Sequence, residues 1–194
     1  MSVVHLVDDD VAVTEACQFL LEGFGYRVQS WNESQTFLAQ AALHEQGVAL
    51  LDLRMPHLDG HGLYGELLKR HSTLAVIFLT GHGDLPVAVE QMKRGAVDFL
   101  QKPVSAGALI AAIERAEAVS AMACERRCIR QRYESLTPKE REIARFIVQG
   151  LMNREIAGRL NVALRTVEVH RARVMEKMMA VNIAELVGKM RAME

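Results

Sequence analysis

The chain has 194 residues, half of them apolar and 24% charged, enough for one globular core or two small ones. No apolar run approaches the roughly 18 residues of a membrane span, and the three cysteines, Cys17, Cys124 and Cys128, make no disulfide framework, so a reducing, cytoplasmic setting is expected. The net charge of −1 hides a division: residues 1–120 carry 8 Lys/Arg against 15 Asp/Glu, residues 121–194 carry 15 against 9, and nucleic acid is the expected partner of the basic half.

The opening, MSVVHLVDDD, lacks a basic n-region and reads as a strand rather than a signal peptide. VVHLV (3–7) is an apolar strand, and 11–22 a helix with Val13, Ala16, Cys17, Leu20 and Leu21 inward. YRVQS (26–30) is a weaker strand, 33–44 a helix, VALLD (48–52) a strand, and 61–70 a helix carrying Leu63, Leu67 and Leu68. VIFLT (76–80) and VDFL (97–100) are strands, with a helix over 86–94 between them and a long Ala-rich helix from about 105. Strands alternating with helices imply an α/β fold: a five-stranded, doubly wound parallel sheet covered on both faces over residues 1–118. Residues 119–134 stay helical but turn arginine-rich and read as a helical linker. Residues 135–194 form a small all-α domain, opened by the Thr137-Pro138-Lys139-Glu140 capping box.

In an open parallel sheet, ligands bind outside the carboxyl ends of the strands. Asp8 and Asp9 fall at the end of the first strand, Asp52 at the third, Thr80 at the fourth and Lys102 at the fifth. Crowded carboxylates call for a hard cation with oxygen ligands, Mg²⁺ or Mn²⁺. A metal, a hydroxyl and an ammonium around one carboxylate are what phosphoryl transfer onto that carboxylate needs. Taken singly, each residue has a plainer reading: Asp10 as the cap of the first helix, Thr80 as a buried strand residue, Lys102 as a solvated one.

VVHLVDDD, LLDLRMPHLDG, VIFLTGHGD and GAVDFLQKP resemble the four signature segments of receiver domains, the FixJ type in particular, from residue 3 to about 118. The resemblance implies a flavodoxin-like fold with Asp52 as phosphoacceptor. It implies a metal site from Asp8, Asp9, Asp52 and the backbone carbonyl of Arg54. Thr80 and Lys102 become contacts to the phosphoryl group, and a cis Lys102–Pro103 bond is expected. Phe99 takes the aromatic switch position, without the hydroxyl of a tyrosine; as plain core it needs no such role.

The basic half contains helices over 138–149 (Ile143, Phe146 and Ile147 inward), 153–160 (Asn153 as N-cap; Ile156, Ala157 and Leu160 inward) and about 164–178 (Val167, Val174 and Met178 inward). A short helix, a tight turn and a basic helix suit a helix-turn-helix, whose second helix enters the major groove; a solvated bundle fits the same periodicity. LTPKEREIARFIVQGLMNREIAGRL and TVEVHRARVMEKM resemble the FixJ/NarL-type (LuxR-type) DNA-binding domain over 136–190. The resemblance implies a DNA-facing set of Arg165, Thr166, Glu168, Val169, His170, Arg171 and Arg173. Arg165, Arg171 and Arg173 are the expected contacts to double-stranded DNA; Glu168 accepts from a cytosine amino group or, on the plainer reading, holds a neighbouring arginine; and the final helix, 182–191, makes a dimer contact. Relatives carry Ser or Thr then Pro where this chain has Ala163 and Leu164, which removes a side-chain cap.

The whole then reads as a two-component response regulator and not an enzyme. A sensor histidine kinase phosphorylates Asp52, and the surface over residues 84–118 pairs with a second copy. The phosphorylation-dependent homodimer binds DNA and acts on transcription by RNA polymerase. Two rivals remain. An aspartyl-phosphate phosphatase would need a second Asp two residues after the nucleophile, where this chain has Arg54, and a constitutive DNA binder would need no acidic site. Cys124 and Cys128 are read as incidental, His57, His61 and His82 as surface loop residues, and Met152, Met175, Met178 and Met179 as core or packing residues. The kinase, stimulus, operator and sign of regulation are not legible.

Overall fold

In the computed structural model of the chain, which describes residues 2–81 and 85–193, two compact units meet between Cys124 and Glu125. The first carries strands β1 (Val3–Val7), β2 (Arg27–Trp31), β3 (Gly47–Asp52), β4 (Ala75–Thr80) and β5 (Asp98–Gln101). All are parallel, in the order β2-β1-β3-β4-β5. Helices α1 (Val11–Gly23), α2 (Ser34–Gln40), α3 (Gly60–Lys69), α4 (Leu85–Lys93) and α5 (Ala106–Glu134) connect or follow the strands.

Period-two alternation explains why the strands read as continuous apolar runs. Val4, Leu6, Val48, Leu50, Ala75, Ile77 and Leu79 form one core with Leu21 of α1 and Leu109, Ala112 and Ile113 of α5. Val7, Ala49, Leu51, Val76 and Phe78 point the other way, into a core with Phe37 of α2 and Leu63 and Leu67 of α3. β3 and β4, central in the sheet, are buried along their whole length.

Helix starts follow the capping residues. Asp10 accepts from the N–H groups of Ala12 and Val13, and Asp59 from that of Gly62 at 2.7 Å. Gly60 must be glycine: a Cβ there would stand 2.3 Å from the Asp52 carbonyl oxygen. That close approach seats α3 against the end of β3.

Three expectations about this unit need correction. Helix α2 ends at Gln40 instead of 44, because Ala41 is extended and Arg70 Nη1 claims the Leu38 carbonyl at 2.8 Å. Ala16 is exposed and Thr14 buried in its place, its hydroxyl donating to the Val11 carbonyl. Leu68 is 41% exposed. The arginine-rich stretch 119–134 continues α5 without a break.

The second unit holds α6 (Pro138–Val148), α7 (Asn153–Leu160), α8 (Leu164–Lys177) and α9 (Ile183–Arg191). Its core joins Ile143, Ala144 and Ile147 to Ile156, Val167, Val174, Met178 and Leu186, and Ile129 of α5 packs into it. The capping box is formed: Thr137 Oγ1 accepts from Glu140 N–H, and Glu140 Oε2 from Thr137 N–H at 2.9 Å. Glu140 is buried, and Lys177 Nζ reaches it at 2.7 Å, holding its carboxyl below its ordinary value. Met178 is core and Met175 half-buried, but Met152, the N-cap of α7, and Met179, just past the C-cap of α8, are exposed.

Candidate functional site

Strand order reverses between β1 and β3, and the acidic residues gather at the carboxyl ends of those two strands. Asp8, Asp9 and Asp52 each bring a carboxylate oxygen within 4.8 Å of the others. Asp8 and Asp52 are buried and Asp9 is exposed, which leaves the cluster open to solvent on one side.

Backbone donors fix the two buried carboxylates. Asp8 Oδ1 accepts from Asp10 N–H at 2.9 Å, and Asp52 Oδ2 from Arg54 N–H at 2.7 Å. Their other oxygens, Asp8 Oδ2 and Asp52 Oδ1, both take Lys102 Nζ at 2.5 Å. Lys102 lies just beyond β5, and its N–H donates to the Thr80 carbonyl at 2.7 Å, so β4 and β5 bring the ammonium to the site. The Lys102–Pro103 bond is cis.

Burial pushes the Asp8 carboxyl above its ordinary value, against the pull of Lys102. For Lys102, burial works to lower the pKa, but hydrogen bonds and charges from Asp52 and Asp8 together outweigh it and hold the ammonium protonated. Three crowded carboxylates, two of them bridged by Lys102, offer hard oxygen donors that fit a divalent cation of the Mg²⁺ class.

Thr80, at the end of β4, is 3% exposed, and its hydroxyl donates to the Gly81 carbonyl at 3.2 Å. Phe99 lies on β5, half-buried, its ring 5.9 Å from that of Phe78. Thr80 thus ends the strand beside that of Asp52, and Phe99 lies on the edge strand beyond it.

In the second unit, Val167 and Val174 bury one side of α8. Arg165, Thr166, Val169 and Arg173 are exposed, while Glu168, His170 and Arg171 are half-buried. Arg165 Nη1 pairs with Glu168 Oε2 at 3.2 Å. Arg171 Nη1 donates to Asn153 Oδ1 of α7 at 2.8 Å. Asn161, at φ 51°, turns the chain between α7 and α8 in the left-handed region. Ala163 caps α8 without a side-chain hydrogen bond.

Residues 4–114 match the family described as response regulator receiver domain, and residues 134–190 match bacterial regulatory proteins, luxR family. The chain belongs to the two-component response regulators with a LuxR-type DNA-binding domain. Tetrathionate response regulatory protein TtrR of Salmonella typhimurium is 61% identical over 193 residues, covering 100% of this chain and 94% of its own. Transcriptional regulatory protein FixJ of Rhizobium meliloti is 42% identical over 188 residues, covering 95% of this chain and 92% of its own. Among solved structures, response regulator StyR superposes with a TM-score of 0.74 at 36% identity, covering 98% of each chain. Full-length FixJ from B. japonicum gives 0.57 at 39%, covering 98% of this chain and 97% of its own. Of these relatives FixJ is a transcriptional regulatory protein, and among the described residues of this response regulator no helix is long and apolar enough to cross a membrane.

Two residues of this response regulator behave otherwise than their sequence context suggested. His61 is not a loop residue: it sits half-buried in the first turn of α3, with Nδ1 2.5 Å from the Nε2 of fully buried Gln91 on α4. Asn153 does not cap α7, since Met152 occupies that position. His57 is exposed at φ 66°, and His82 lies outside the described residues.

Proposed function

We propose that Asp52 is the phosphoacceptor of this response regulator and that its phosphorylation by a sensor histidine kinase promotes dimerisation and sequence-specific DNA binding, and so controls transcription in the cytoplasm. The observation that carries the reading is the convergence of Asp8, Asp9, Asp52 and Lys102, from three strand ends, on one partly open crevice. Asp8, Asp9, Asp52 and the carbonyl of Arg54 would hold Mg²⁺ or Mn²⁺. The bound cation supplies positive charge for the phosphoryl oxygens. Asp52 then forms the new bond to phosphorus as the donor's histidine leaves. Lys102 turns from bridging two carboxylates to neutralising the phosphoryl group.

Phosphorylation adds up to two negative charges at the end of β3. The Thr80 hydroxyl ends β4, the strand beside β3, and its movement toward the phosphoryl group would leave space for Phe99 to turn inward. A state with both displaced has a different α4–β5–α5 surface and pairs with a second copy. Phosphate shifts the equilibrium only by its differential stabilisation of that state. The dimer, joined also through α9, presents two α8 helices to a pseudo-palindromic site. Arg165, Arg171 and Arg173 contact the DNA, with Thr166, Glu168, Val169 and His170 beside them. RNA polymerase is the downstream partner. The full-length identity to TtrR supports tetrathionate as the stimulus of this chain also.

The test measures mass by sedimentation, and affinity for a duplex selected from a random library, with and without phosphorylation. A dimer with tightened binding is expected. Phosphorylated protein that stays monomeric and binds no better than the unmodified form contradicts the proposal.

A further inference from the structure

The sequence puts Asn153 where a helix cap would stand, yet the start of α7 is built without its side chain. Met152 is the N-cap residue, and its N–H donates to Glu155 Oε2 at 2.6 Å. Asn153 is thus the first helical residue, and its amide oxygen is left to accept from Arg171 Nη1 at 2.8 Å, across 18 residues of chain. Both side chains are half-buried.

Arg171 stands one turn from each of the two residues that bury α8, Val167 and Val174. Its stem therefore leaves the helix at the border of the buried face, where an anchor decides the direction of the guanidinium. The two neighbouring arginines differ. Arg173 is exposed, and Arg165 is paired with a carboxylate while 85% of its side chain is in solvent. Only weak coupling is expected from so exposed an ion pair.

The geometry points to Asn153 as a positioning residue that aims Arg171 at the DNA and thereby sets part of the sequence selectivity. This rests on the reading of α8 as the DNA-facing helix. The chemistry of the partner matters. A neutral amide oxygen occupies one of the five N–H donors of arginine and leaves the other four and the full positive charge for the nucleic acid. A carboxylate in its place would hold the side chain equally well but cancel the charge. An arginine restrained before DNA arrives loses less rotamer freedom on binding. Bidentate reading of a base edge depends on direction, whereas contact with phosphate does not, so the anchor acts on selective binding more than on general affinity.

The experiment uses the full-length phosphorylated protein and two probes: a duplex selected by the wild type from a random library, and a scrambled duplex of the same composition. Asn153→Ala is expected to weaken binding to the selected duplex by about two- to tenfold, the range of one freed side chain. Binding to the scrambled duplex and the melting temperature should stay at wild-type values. In the Arg171→Ala background, Asn153→Ala should add nothing further. Asn153→Asp should weaken binding to both duplexes, since it keeps the anchor and removes the net charge.

Wild-type selectivity in Asn153→Ala, equal losses on both duplexes, or additivity with Arg171→Ala overturns the positioning role while leaving α8 as the reading helix. Undiminished selective binding by Arg171→Ala overturns the contact itself, and a wild type that selects no duplex overturns the DNA reading beneath both.

Discussion

His5 makes the receiver unit acid-sensitive, and the effect can be isolated. Its ring is 2% exposed on β1, packed 5.5 Å from the Phe37 ring, and its Nδ1 accepts from Trp31 Nε1 at 3.2 Å. An indole nitrogen only donates, so Nδ1 is unprotonated and the imidazole neutral. Burial lowers its pKa from 6.5 to about 4. A depressed histidine pKa means that the unfolded chain binds the proton more readily. The stability is therefore complete above pH 6.5 and is lost as pH falls toward 4. The whole shift corresponds to roughly 3 kcal/mol, of which about 2 kcal/mol is gone by pH 5. His5→Gln keeps an acceptor for Trp31 and removes the titration. Urea unfolding followed by the fluorescence of Trp31, the chain's one tryptophan, reports on this unit. Between pH 7 and pH 5 the wild type should lose about 2 kcal/mol more than His5→Gln. Parallel pH profiles for the two proteins would refute the reasoning. Carboxylates contribute to both equally: Asp8, pushed up by burial, works against acid unfolding, and Glu140, held down by Lys177, works toward it.

Three further outcomes are expected. Ala163→Ser supplies the absent side-chain cap of α8 and should raise the unfolding free energy of the second unit by about 1 kcal/mol in thermal or urea melts. Gly60→Ala puts a methyl 2.3 Å from the Asp52 carbonyl oxygen; it should destabilise the first unit by about 1–3 kcal/mol and slow phosphorylation, read by urea melts and by intact mass. Met179 follows the C-cap of α8 at φ 49° with its side chain 61% exposed, so Met179→Gly should raise stability by up to about 1 kcal/mol in the same melts.

The parts of this protein that depend on local chemistry were legible in its sequence. Apolar runs gave the strands, the Thr137 and Glu140 spacing gave the start of α6, and Asp10 gave the start of α1. Placement of Asp8, Asp52, Thr80 and Lys102 at strand ends followed once the strands were known, because a parallel sheet sends those ends to one side. What stayed hidden depends on partners far along the chain. Nothing near His61 announces Gln91, 30 residues on. The end of α2 is decided by Arg70, 32 residues from the carbonyl it takes. The cap of α7 falls on Met152, one residue before Asn153 and against the general preference for Asn there, because the Glu155 carboxylate reaches back to the Met152 N–H. The Asn153 amide was then free for Arg171, a pairing that only the packing of α7 on α8 creates.

The central claim is that Asp52 accepts a phosphoryl group with the help of the residues gathered around it. The most direct measurement is the intact mass of wild type and Asp52→Asn after incubation with Mg²⁺ and acetyl phosphate. A single, hydrolysable phosphoryl adduct on the wild type and none on Asp52→Asn is the result predicted. No adduct on the wild type, with a known receiver labelled in parallel, or an equal adduct on both proteins, would contradict it.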